Sequence, residues 1–68
     1  MKLKRIPEGK HHNFTLQDHN GKMRGWIDGP LRNGTDHWSF KVYGHHIGVA
    51  VTLAQAHELA EHYVEDEK

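Results

Sequence analysis

Between residues 12 and 51 apolar and polar side chains alternate with a period of two, and the alternation is broken by two tight-turn pairs, Asn20-Gly21 and Gly44-His45. A period of two marks a half-buried strand. Asn-Gly supplies the positive φ of a type I′ hairpin turn and Gly in the first central position suits type II′, so each pair is expected to join two strands directly. Strands are expected over 12–18, 22–28, 37–43 and 46–51. Counting outward from Asn20-Gly21 pairs Asp18 with Met23, Leu16 with Gly25 and Phe14 with Ile27 on one face, and Gln17 with Arg24 and Thr15 with Trp26 on the other. From Gly44-His45, Val42 meets Ile47, Phe40 meets Val49 and Trp38 meets Val51; the opposite face then pairs Tyr43 with His46, Lys41 with Gly48 and Ser39 with Ala50.

At Thr52 the period changes to 3.6. Leu53, Ala56, Leu59, Ala60, Tyr63 and Val64 form one apolar stripe, with Gln55, Glu58, Glu61, His62 and Glu65 on the other side, which predicts an amphipathic helix over 52–64. Thr52 followed by Gln55 is a capping-box pattern. Residues 1–11 form a basic lead-in broken at Pro7 and Gly9, in which Leu3 and Ile6 either tuck against the core or make a short edge strand. Gly29-Pro30 and Asn33-Gly34 bound a longer connection whose Leu31 is expected to plug one end of the core. Residues 65–68 read as an acidic tail. The whole predicts one small α+β domain, a four-stranded antiparallel meander with a C-terminal helix on one face. Its core is expected to be Trp38, Phe40, Val42, Ile47, Val49, Leu53, Leu59, Phe14 and Ile27.

At 68 residues and without cysteine, the chain has neither a disulfide framework nor a cysteine zinc site to reinforce a small core. No apolar run approaches the roughly 20 residues of a membrane span, and the charged N-terminus points to a soluble, cytoplasmic protein with no membrane partner. The zero net charge conceals a separation. Residues 1–51 carry eight Lys or Arg against four acids, whereas 52–68 carry five acids against Lys68. A basic sheet therefore backs onto an acidic helix.

Eight histidines suggest metal, but the spacing argues against it. The adjacent pairs His11-His12 and His45-His46 point to opposite faces of a strand. On the helix, His57 and His62 are five apart and not on one face, unlike the four-residue spacing of zinc-peptidase helices; His57 with Glu61 and Glu58 with His62 read as surface contacts. Ser39 is the only serine, without an oxyanion-hole glycine loop, and no phosphate-binding glycine fingerprint is present. An enzyme, a cofactor and a small-molecule substrate are accordingly not expected.

What remains is the outward sheet face. Arg24, Trp26, Lys41, Tyr43, Gln17, His46 and Ser39 combine stacking rings, cations and hydrogen-bonding groups, the mixture with which sheets bind nucleic acid. Protein-binding surfaces share the same enrichment in Trp, Tyr and Arg. A competing expectation has Trp26 covered by Leu3 or Ile6.

Residues Trp38 to Gly44, Ile47 to Val51, and Thr52-Leu53 with Ala56, Leu59 and Ala60 resemble the hairpin-plus-helix ending of the arm-type DNA-binding domains of phage-type integrases. That resemblance implies a sheet entering the major groove, with Lys41, Tyr43 and Arg24 facing the DNA. Thr52 to Glu61 is also similar to the helix of the small phage T7-type inhibitors of bacterial RNA polymerase, which implies a partner that is a host protein. Nucleic-acid binding through the outward face is the function expected first, and a phage-type regulator or inhibitor of a host protein the alternative.

Overall fold

A computed structural model describes residues 3–43 and 46–66, with the backbone alone at His46, Glu65 and Asp66. The elements run β1 (Lys4–Pro7), β2 (Phe14–Gln17), β3 (Met23–Asp28), α1 (Pro30–Asn33), β4 (Trp38–Val42), β5 (His46–Ala50) and α2 (Leu53–Asp66). The strands lie side by side in chain order, all neighbours antiparallel. The fold is the expected α+β meander with a C-terminal helix, but with five strands where four were expected.

The lead-in supplies the fifth. Lys4 pairs with Gln17 and Pro7 with Phe14. Leu3, just ahead of β1, is buried in the core, and α2 fastens its main chain at both ends. Its N–H donates to Glu61 Oε2 at 2.7 Å and its carbonyl accepts from His57 Nε2 at 2.7 Å. His57 and Glu61, one helical turn apart, thus bind the first strand to the last helix.

The first hairpin pairs Phe14 with Ile27, Thr15 with Trp26 and Leu16 with Gly25 as expected, then departs: Gln17 lies opposite Met23 and the ladder is irregular. The turn is not type I′. No described residue other than glycine has positive φ, and only Gly21 of the Asn20-Gly21 pair does, at 81°. The Asp18 carboxylate accepts the Asn20 and Lys22 amides at 2.9 and 3.0 Å, Gly21 N–H donates to Asp18 O, and Asp18 N–H to Lys22 O. Asp18 therefore selects a three-residue connection ending on a left-handed glycine, the turn that carries a bulge.

The second hairpin is corrected throughout. Val42 pairs with His46, Lys41 with Ile47, Phe40 with Gly48, Ser39 with Val49 and Trp38 with Ala50. Three residues separate the paired ends, one more than the two-residue turn expected at Gly44-His45, whose own residues lie outside those described. A one-residue slip exchanges the two faces of a strand. Ala50 is buried and Gly48 faces Phe40, whereas Ile47, Val49 and the following Val51 are 76%, 65% and 71% exposed. Ile47 and Val49, expected in the core, lie outside it.

The cause is volume beneath α2. Phe40 is buried and stacks on Tyr63 with ring centroids 5.8 Å apart, and a Cβ built on Gly48 would stand 2.5 Å from the Phe40 ring. Only the small residues of β5 fit there. On the helix, Ala56, Ala60 and Val64 are buried, and the core is completed by Leu3, Leu16, Ile27 and Val42, with Phe14, Trp38, Leu53, Leu59 and Tyr63 packed half-buried around it. Leu31 is no plug: it is fully exposed on the single turn of α1. Trp38 closes that end instead, lying against Gly29, where any Cβ would meet its ring at 2.8 Å. The start of α2 is capped as expected by Thr52, whose hydroxyl accepts the Gln55 amide at 3.1 Å; the Gln55 side chain reaches back to the Val51 amide at 3.0 Å, one residue earlier than a capping box requires.

Candidate binding face

The face of the sheet turned away from α2 is organised by its register. One row crosses all five strands, Ile6, Thr15, Trp26, Lys41 and Ile47, and a second joins Asp28, Ser39 and Val49. Two of the expected site residues, Trp26 and Lys41, stand side by side in the first row, and a third, Tyr43, packs against Trp26. The Tyr43 ring meets the Trp26 indole edge-on at 5.5 Å, and Lys41 Nζ stands 5.3 Å from the indole centroid. Tyr43 is 45% exposed, its hydroxyl donating to Met23 Sδ at 3.4 Å.

The Trp26 indole is half-buried, and the ring that covers it is His12, stacked at 4.3 Å with 14° between the planes. Leu3 lies instead in the core. His12 is aimed by Asp28, whose carboxylate lies 3.0 and 3.2 Å from Nδ1. Thr15, beneath this group, donates to the Glu8 carboxylate.

The other expected residues sit apart from the indole. Arg24 lies at the Asp18 end, its guanidinium 3.9 Å from the Asp18 carboxylate. Burial pushes the Asp18 carboxyl up, but the Lys22 and Asn20 amides, with the electrostatic influence of His19 and Arg24, outweigh it and hold the group below the ordinary aspartate value. Gln17 is half-buried in β2 opposite Lys4 and Met23. Ser39, toward α1, accepts a hydrogen bond from the Asn33 side-chain amide at 3.0 Å, and the same amide also donates to the Asp28 and His37 carbonyls. Its hydroxyl is thus part of the α1 connection. His46 pairs with Val42 rather than Tyr43, and its side chain lies outside the described residues.

Two features of this face escaped the sequence reading. His12 and Asp28 are 16 residues apart and carry no joint signal. The exposed aliphatic row of Ile47, Val49 and Val51 follows from the shifted register, and its one available signal was Gly48, the only β5 residue able to lie against a buried Phe40. Among the described residues no group of three or more His, Asp or Glu could hold a metal ion, and no helix is long and apolar enough to cross a membrane. No family model, curated protein or solved structure matches the chain.

Proposed function

We propose that this chain is a non-enzymatic protein-binding module that receives an extended segment of a partner polypeptide along β5, with the outward side chains of that strand as the contact. The observation that carries this reading is the exposed row of Ile47, Val49 and Val51, three adjacent aliphatic positions on the face that also presents Tyr43 and the half-buried Trp26. Apolar side chains gathered beside aromatic and cationic ones are the composition of a protein interface core. They contribute nothing to binding phosphate.

Nucleic acid, the function the sequence pattern favours first, is supported less by the same face. A base stacking on Trp26 would have to displace His12. The cations Lys41 and Arg24 share the face with Glu8, Asp28 and Asp18, and Arg24 is already beside Asp18. The testing experiment is capture from a cell lysate on immobilised protein, with and without nuclease, using the wild type and Val49→Lys. Nuclease-resistant capture that Val49→Lys abolishes is the expected result. Capture lost to nuclease, weakened by Lys41→Ala and indifferent to Val49→Lys would transfer the function to nucleic acid.

A further inference from the structure

The sheet ends in two strands of opposite character. β1 reads Lys4-Arg5-Ile6-Pro7, and charged side chains and proline are the devices by which natural sheets keep an edge from pairing with another chain. β5 has none of them. From Ile47 to Val51 there is no charged residue and no proline, and its ladder with β4 runs in continuous register from the pair Trp38 and Ala50 to the pair Val42 and His46. One edge is guarded and the other is open.

The ladder also fixes which backbone groups stand free on the open edge. The Tyr43 amide donates to the Arg24 carbonyl at 2.8 Å, so Tyr43 turns its main chain toward β3. By the alternation of an antiparallel strand, Lys41 and Ser39 do the same, and Val42, Phe40 and Trp38 turn theirs toward β5. Across that ladder His46, Gly48 and Ala50 exchange bonds with β4. Ile47 and Val49 therefore direct N–H and C=O outward. Val51 continues the alternation, and its outward N–H is taken by the Gln55 side chain.

Resting on the protein-binding reading above, we propose that the strand received by β5 is β5 of a second copy of this chain, paired antiparallel about a two-fold axis at Gly48. In that register Ile47 of each copy lies opposite Val49 of the other, so all four free groups, the N–H and C=O of Ile47 and Val49, are satisfied reciprocally. A register centred on Val49 would instead set Ile47 opposite Val51, whose N–H is already committed to Gln55. The outward side chains then form one aliphatic cluster of Ile47 and Val49 from both copies, an isologous patch that is its own complement. On the helix side, Gly48 puts no side chain at the axis. The pairing brings no like charges together along the strand, and a chain of zero net charge has little long-range repulsion from its copy. A single strand pair buries less than the roughly 1,200 Å² at the lower end of stable interfaces, so the dimer dissociates on dilution.

The test is sedimentation velocity over a dilution series of the full chain, wild type and Val49→Lys, with backbone circular dichroism as the check on folding. Ile47→Lys replaces Val49→Lys should the latter misfold. The expected result is a concentration-dependent dimer that is lost in the folded variant, with hydrogen exchange at the Ile47 and Val49 amides slowing as the wild type is concentrated. A wild type that stays monomeric at every concentration, or a dimer that either lysine variant leaves intact, overturns the proposal. If the monomeric protein nevertheless captures a different polypeptide, and Val49→Lys abolishes that capture, self-pairing fails while the protein-binding reading stands. Capture that the variant leaves unchanged overturns both.

Discussion

Replacing Gly48 by alanine and Ile47 by alanine should produce effects of opposite rank from those the sequence pattern suggests. An alanine Cβ at Gly48 would stand 2.5 and 2.9 Å from two carbons of the Phe40 ring, closer than carbon atoms pack. Phe40 is 2% exposed and lies between that point and Tyr63, so it has little room to withdraw. Overpacking of this kind costs about 1–3 kcal/mol. Alanine gains back about 0.5–1 kcal/mol from the conformational freedom glycine loses on folding, leaving a net loss of up to about 2.5 kcal/mol. Ile47 is 76% exposed, and truncating it should stay within about 0.5 kcal/mol. In the register of a two-residue turn the ranks would invert. Gly48 would lie on the outward face, where alanine is tolerated, and Ile47 would be a core residue whose loss costs about 2–5 kcal/mol. Thermal unfolding of both variants at protein concentrations too low for association decides the matter, because a domain of this size shifts its melting temperature by about 4–8 °C per kcal/mol. A neutral Gly48→Ala beside a severely destabilised Ile47→Ala would refute the register and the binding surface built on it.

Phe40→Ala removes the largest fully buried side chain and should cost about 3–5 kcal/mol, enough to unfold much of the population at room temperature by circular dichroism. His12→Ala uncovers the Trp26 indole; acrylamide quenching, read with Trp38 replaced by phenylalanine, should rise, and unchanged quenching would mean that His12 does not shield the ring. The Asp18 carboxyl titrates lower in the folded chain than in the unfolded one, so its contribution is complete above the unfolded value of about 3.9 and is lost as pH falls through the folded value. The stability gap between wild type and Asp18→Asn should therefore shrink as pH drops below about 4 in acid-unfolding curves, and a gap that widens would reverse the sign.

The parts of the fold that were legible in the sequence are those where local pattern and tertiary fit agree. Phe14, Leu16 and Ile27 alternate, and the strands pair them as the alternation implies; the α2 stripe and its Thr52 cap are equally local. β5 was not legible because Ile47-Gly48-Val49-Ala50 offers two acceptable core faces, one bulky and one small. Nothing within the strand chooses between them. The choice is made by Phe40 and Tyr63, which fill the volume under α2 and leave room only for glycine and alanine. At β1 the sequence left a short edge strand and a segment tucked on the core as alternatives for a related reason: its lone apolar residue before the proline, Ile6, carries no period, and what fixes the segment is Leu3, bound by His57 and Glu61 more than 50 residues away. At the candidate face, the meeting of Trp26, Lys41 and Tyr43 followed from strand parity, whereas the covering by His12 depends on a loop conformation that no spacing encodes.

The most direct measurement of the central claim is amide hydrogen exchange, residue by residue along β5, in the free chain and in its complex, whether with a second copy or with a captured polypeptide. In the free chain the Gly48 and Ala50 amides, bonded to β4, should exchange slowly and the Ile47 and Val49 amides fast; in the complex all four should be slow. Ile47 and Val49 amides that remain fast in a demonstrated complex would contradict the claim that β5 is where this protein binds.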